Sequence, residues 1–172
     1  SDVFPLKKWQ MVLQNKEASG YIFGYTAHSL ELFASRSWLV AFFAFCTAYT
    51  GETFFLAATT LAGVINFFGV PASILGNEMA IKIGRQNWIC FVMLTSAILG
   101  IALAAATGQG WWVIALLATG HSIFIMADSA TLTAGLVTSA QPQIKGAAMG
   151  LHSLMGFGGG LLGPAIFGFV LD

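Results

Sequence analysis

Residues 86–127 read QNWICFVMLTSAILGIALAAATGQGWWVIALLATGHSIFIMA and contain no Asp, Glu, Lys or Arg. A membrane-spanning helix needs roughly 20 apolar residues, and this run is long enough for two. Between its halves stands Thr107-Gly108-Gln109-Gly110, a turn signal. The stretch therefore predicts two spanning helices folded back on each other, over about 87–106 and from 111 onward.

The same reading extends in both directions. Residues 53–77 and 146–171 are also free of charge. Residues 37–51 continue a helix that begins near 17 and carries Glu31 and Arg36 inside it. The predicted spans are 17–45, 54–75, 87–106, 111–138 and 146–171. Strict period-two alternation is absent, which argues against a barrel. The expected fold is an all-α polytopic membrane helix bundle with five transmembrane helices. Residues 1–16 are expected to form a cytoplasmic juxtamembrane segment, and 17–172 the transmembrane bundle.

Composition agrees. Hydrophobic residues make up 57% and charged residues 8%, whereas soluble domains carry about 25% charge. So few charges cannot cover a water-facing surface, so the expected surroundings are a lipid bilayer. The formal net charge is zero, which gives no bulk attraction for a nucleic-acid partner. The opening SDVFPLKKW has no apolar core of the kind a secretory signal needs. Cys46 and Cys90 fall at opposite ends of the predicted spans, too far apart for a disulfide, and read as small apolar residues.

Of the seven Lys and Arg residues, only Arg36 lies within a span. Lys7, Lys8, Lys16, Lys82, Arg85 and Lys145 all fall in segments that five spans place on one side. The other loops, Ala48–Glu52 and Thr107–Gly110, hold none. The positive-inside rule then puts the N-terminus in the cytoplasm and Asp172 on the far side. The expected location is the bacterial cytoplasmic membrane.

Charges at a helix centre cost about 2.5–3.5 kcal/mol each on insertion scales. Glu31 and Arg36 are about 7.5 Å apart along the axis and roughly 140° apart around it, so each needs a partner elsewhere. Tyr21, Tyr25, His28, Glu31 and Ser35 form one stripe, flanked by Arg36. His121 and Asp128 form a second stripe on the fourth span, with Ser122, Ser129, Thr131 and Thr133 nearby. Polarity is thus expected on spans one and four. His28, Glu31, Arg36, His121 and Asp128 read either as a solute or ion pathway, or as interhelical hydrogen bonds and a charge pair holding the bundle together. His152 reads as interfacial, near the cytoplasmic end of the fifth span. No metal-ligand spacing or nucleophile motif appears, so neither a metal, a cofactor nor an enzyme is expected.

The fifth span contains GLHSLMGFGGGLLGPAIFGFVLD. Gly156, Gly160 and Gly163 share a face, and small residues at that spacing allow close helix approach. Pro164 is expected to bend the helix. Between spans two and three lies GNEMAIKIGRQ, where Gly84 permits a tight turn, Lys82 and Arg85 can meet headgroups, and Glu78 can pair with either.

Together these pieces resemble the carboxy-terminal half of a major facilitator superfamily transporter. Lys82, Gly84 and Arg85 fit that family's GxxxDRxGRR loop, although Ile81 stands at its Asp and Asn77 at its Gly. Gly159-x-x-x-Gly163-Pro164 is similar to the GxxxGP motif of antiporters in that superfamily. The resemblance implies that the five spans are helices seven to eleven of twelve, with spans one and four lining a central cavity. It implies a secondary transporter bundle that moves a small polar or anionic solute. Glu31 or Asp128 would carry a proton, and Arg36 or a histidine would meet the solute. The missing amino-terminal half would come from elsewhere, a second copy or a larger membrane complex. The alternative is a non-transporting, transporter-like structural subunit of such a complex.

Overall fold

The computed structural model describes residues 4–171. Ser1 and Asp172 lie outside the described residues. Seven helices follow one another: α1 Leu6–Gln14, α2 Lys16–Thr50, α3 Ala58–Ile83, α4 Arg85–Ala105, α5 Trp111–Met126, α6 Ser129–Ser139 and α7 Lys145–Leu171. Five stretches are long and apolar enough to cross a membrane: α2, α3, α4, α5 with α6, and α7 with the 3-10 turn before it. The protein is an all-α membrane helix bundle.

The helix ends follow local chemistry. Asn15 caps α2, its side chain accepting from Glu17 N and Ala18 N. At the other end Gly51 adopts φ +71°, the left-handed conformation that favours glycine. The eleven-residue loop expected between spans two and three is instead mostly helix. α3 runs on through Glu78 and Lys82 to Ile83, and Gly84 alone, at φ +93°, separates it from α4. Polar residues beyond the lipid can continue a helix that the lipid no longer requires. Glu78 forms no ion pair with Lys82 or Arg85 among the described residues.

Two further departures matter. The juxtamembrane segment contains a helix, α1, whose Val12 is buried against Ile144 and Ala148. The predicted fourth span, 111–138, is two helices, because the chain breaks at Ala127 and Asp128. α7, in contrast, continues as helix through Pro164.

The interior has two apolar cores. One collects Leu39, Phe43, Ile65, Leu103, Trp111 and Ile114. The other collects Val12, Ile22, Leu136, Ile144, Ala148 and Leu151. Between these cores α2 carries His28, Ser29 and Glu31, and the α5–α6 span carries His121, Ser122, Asp128, Ser129, Thr131 and Thr133 among apolar neighbours. α2 packs on α1, α3, α5, α6 and α7.

The α2–α7 contact is set by glycine. A Cβ on Gly159 would sit 2.6 Å from Thr26 O, and one on Gly160 would sit 2.7 Å from the Phe33 ring. Gly163 faces the Leu30 carbonyl and Gly156 the Tyr25 ring, both with no room for a methyl. Gly158, on the same helix, has open space around its Cα. Gly163→Ala is therefore expected to cost about 1–3 kcal/mol through overpacking. Gly158→Ala is expected to be neutral or stabilising by up to about 1 kcal/mol from helix propensity. Reversible unfolding in mixed micelles measures both. Equal effects would mean that α2 and α7 can separate without loss.

Candidate functional site

The break in the fourth span places its most polar residue. Ala127 and Asp128 stay in the right-handed helical region, Asp128 at φ −103°, ψ −13°, but the α-helical hydrogen-bond ladder is interrupted there, Ala127 N bonding Phe124 O instead. The freed backbone is satisfied by neighbours, as it must be away from water. Trp88 Nε1 on α4 donates to Ala127 O at 3.0 Å. On α3, Gly76 lies so close to the same carbonyl that no side chain fits there. Asp128 makes no capping hydrogen bond to α6. It turns towards α2, where its Oδ1 lies 2.8 Å from His28 Nδ1. Both side chains are almost fully buried, at 3% and 2% exposure. The two approach by distance but not in hydrogen-bond alignment, so Oδ1 keeps unused acceptor capacity.

His152 belongs to the same cluster. It is buried rather than interfacial. Its ring stacks on Tyr25, centroids 3.9 Å apart and planes 24° apart. Tyr25 also stacks with His28 at 5.6 Å and 23°. Gly156, one turn beyond His152, leaves room for the Tyr25 ring. His152 Nε2 lies 3.3 Å from Thr133 Oγ1, and Thr133 in turn donates to Ser129 O at 3.3 Å. His152 Nδ1 and Thr131 Oγ1 are buried without a partner.

Glu31 joins a second cluster on another side of α2. Its Oε1 accepts from Ser96 Oγ on α4 at 3.0 Å. The same hydroxyl is 3.0 Å from Met93 O, so its one proton is shared between two acceptors. His121 Nδ1 lies 3.0 Å from Ser96 O. Gly100 leaves space for the His121 ring. Glu31 and His121 line a cavity of about 420 Å³ with Trp38, Phe42, Gly100 and Phe167. The third and fifth spans thus contribute Ser96 and His152, so polarity is not confined to spans one and four.

Arg36 turns away from both clusters. Its Nη2 is 3.6 Å from Met126 Sδ, and its Nε is buried without a partner. Among the described residues it forms no ion pair. Gly69 on α3 makes room for Met126 and the guanidinium. Arg36 and Glu31 therefore do not pair, as their angular separation requires.

The remaining predicted residues lie outside this belt. Lys82 is exposed, and Arg85 Nη1 donates to Thr138 Oγ1 at 3.1 Å, linking α4 to α6. Pro164 O accepts from Trp38 Nε1 at 3.1 Å. No group of three His, Cys, Asp or Glu side chains among the described residues is placed to hold a metal ion. One missed feature had a sequence signal: Trp88 is an indole donor in an otherwise apolar run.

No family model, curated protein or solved structure matches the chain.

Ser96 is the joint between Glu31 and α4. Ser96→Ala leaves the carboxylate without its protein donor and is expected to cost about 1–3 kcal/mol. Thr95→Ala removes only a bond to Phe91 O within α4 and is expected to cost under about 0.5 kcal/mol. Unfolding midpoints of the two variants test this; a Ser96→Ala protein as stable as Thr95→Ala would mean that the Glu31 contact contributes nothing.

Proposed function

We propose that the chain is one helix bundle of a secondary transporter, moving a small polar or anionic solute across the bacterial cytoplasmic membrane in exchange with, or together with, protons. The observation that carries this reading is the broken fourth span, with Asp128 at the break and His28 2.8 Å away, both buried. Cohesion alone does not require a broken helix. Discontinuous helices whose ionisable groups lie at mid-depth are a recurring way to build solute and ion sites in transporters. Arg36 favours an anionic solute, because a cation with no carboxylate partner attracts one.

The resemblance to the carboxy-terminal half of the major facilitator superfamily supplies an architecture for this proposal. α2, α3, α4, α5 with α6, and α7 would correspond to helices seven to eleven. Alternating access requires a second bundle facing this one. That partner would be an amino-terminal half, a second copy or part of a larger membrane complex. The positive-inside rule favours a cytoplasmic N-terminus. The competing reading, a structural subunit without transport, draws support from the Ser96 bridge, which ties Glu31 and His121 to α4 as an interhelical fastening does.

Transport normalised to assembled protein separates the two. In proteoliposomes holding the intact assembly, a panel of labelled small anions and sugars is driven by a proton gradient. Asp128→Asn and Glu31→Gln are each expected to lower accumulation about tenfold or more, equivalent to at least about 1.4 kcal/mol, at near-normal protein level. Arg36→Ala is expected to reduce assembly as well. Unchanged accumulation per assembled molecule in both acid variants would leave the structural-subunit reading.

Orientation is tested separately. With Cys46 and Cys90 replaced by Ser, an impermeant thiol reagent is expected to label a cysteine at Gln109 from outside. One at Gln143 should react only from the cytoplasm. The reverse pattern would invert the topology.

A further inference from the structure

The cavity of about 420 Å³ beside Glu31 is walled by α2, α4, α5 and α7, and its lining is mostly apolar. The few polar side chains on it are matched to one kind of partner. Glu31 receives one hydrogen bond among the described residues, from Ser96 Oγ, whose proton Met93 O shares. No side-chain cation pairs with it there, because Arg36 turns to Met126. His121 Nδ1 faces Ser96 O, which can only accept, so Nδ1 carries the hydrogen. In the neutral ring Nε2 is then an acceptor. The Trp38 indole N–H is already spent on Pro164 O. Ser35 can act either way. The cavity therefore offers acceptors and a carboxylate, and lacks a positive charge.

We infer that this cavity binds a lipophilic ammonium, a protonated amine on an apolar body, with its N–H groups on Glu31 and His121 Nε2. Glu31 and His121 reach the same residue, Ser96, one through its hydroxyl and the other through its carbonyl, so both lie within range of one ammonium. Such a group brings the donors and the charge that the walls lack. Away from water that charge pair is worth more than it is in solution. Trp38, Phe42 and Phe167 line the rest, and aromatic faces suit both an apolar body and a cation. The volume lies within the range of sites for small molecules.

Access fits the same ligand. Leu30, Ile101 and Phe167 of the lining are exposed, so the cavity opens on the outside of the bundle within the apolar spans. An amphipathic amine dissolved in the bilayer can enter there. A lipid chain or a neighbouring apolar helix would cover the walls but leave the carboxylate without a counter-charge. This ligand goes beyond the transport reading. Arg36, which favours an anion, points to another side of α2, towards Gly69 on α3 and Met126 on α5.

The test is equilibrium dialysis of radiolabelled phenylbutylammonium against the intact protein in lipid nanodiscs, with empty nanodiscs subtracting partition into lipid. Saturable binding is expected, about tenfold or more tighter than that of phenylbutanol or phenylbutyrate, because only the ammonium answers a carboxylate. Glu31→Gln is expected to weaken it about tenfold or more. Ala104→Phe, at an exposed position of α4 on the cavity wall, fills the space and should abolish binding. Absence of saturable binding overturns the proposal. So does the alcohol binding as tightly as the ammonium, which would mark an apolar cleft for lipid or a neighbouring helix. Unchanged affinity in Ala104→Phe places the ligand elsewhere and also overturns it. Should Glu31→Gln fail to assemble, the ligand comparison and Ala104→Phe decide. No gradient is used, so this result and the transport assay stand or fall separately.

Discussion

The approach of α2 to α7 is the constraint on which the rest depends. In lipid there is no hydrophobic drive to bring two apolar helices together, so packing itself must do it. Gly159 and Gly163 let the α7 backbone lie against the carbonyls of Thr26 and Leu30. Gly160 receives Phe33, and Gly156 receives Tyr25. This last contact links fold to site. Tyr25 can lie flat against α7 only where there is no side chain, and His152, one turn earlier, then meets its ring. One glycine stripe thus fixes a helix seam and delivers a buried histidine from one helix to a buried histidine on another.

The second constraint is the repaired break at Ala127–Asp128. An interrupted helix at membrane depth survives only where its loose backbone groups are covered. Trp88 and Gly76 cover Ala127 O from α4 and α3. Asp128 is then free to turn to α2 rather than cap its own helix. All five spans therefore converge on one polar belt, held between two apolar cores. The cores carry the packing, and the belt between them holds Arg36, Asp128, Thr131 and His152, each with a buried polar atom that has no partner.

The sequence made the bundle legible because charge-free length is a direct statement about bilayer thickness. It was a poor guide to where helices stop. α3 runs to Ile83 because Asn77, Glu78 and Lys82 are acceptable helix residues once outside lipid, and hydropathy is blind to helix there. α1 was hidden by its two lysines, which mask a short apolar stripe ending in Val12. The break in the fourth span is a tertiary event, stabilised by a tryptophan and a glycine far away in sequence. The same limit applies to the site. Stripes on a helix give direction but not partners. Ser96 looked like one small residue among many, and His152 looked interfacial because Lys145 and the polar turn precede it. Only the glycine seam, read together with Tyr25, puts it inside.

Glu31 and Arg36 show why the directions matter. Side chains five apart on a helix point to different neighbours, and α2 packs on several helices. Glu31 reaches α4 across the cavity and takes a serine hydroxyl. Arg36 reaches α3 and α5, where a glycine and a soft thioether give it room without neutralising it. His28, between them in angle, takes the carboxylate at the break. The central helix thus sorts its ionisable groups into three sectors. One holds an acid hydrogen-bonded to an alcohol, one an acid–imidazole contact, and one a cation that no described side chain balances. Of the three, only Arg36 lacks a counter-charge or a strong hydrogen-bond partner from the protein. The protein meets that guanidinium only with the Met126 sulfur and the space left by Gly69, so the neighbours of α2 fix the direction of Arg36 without balancing its charge.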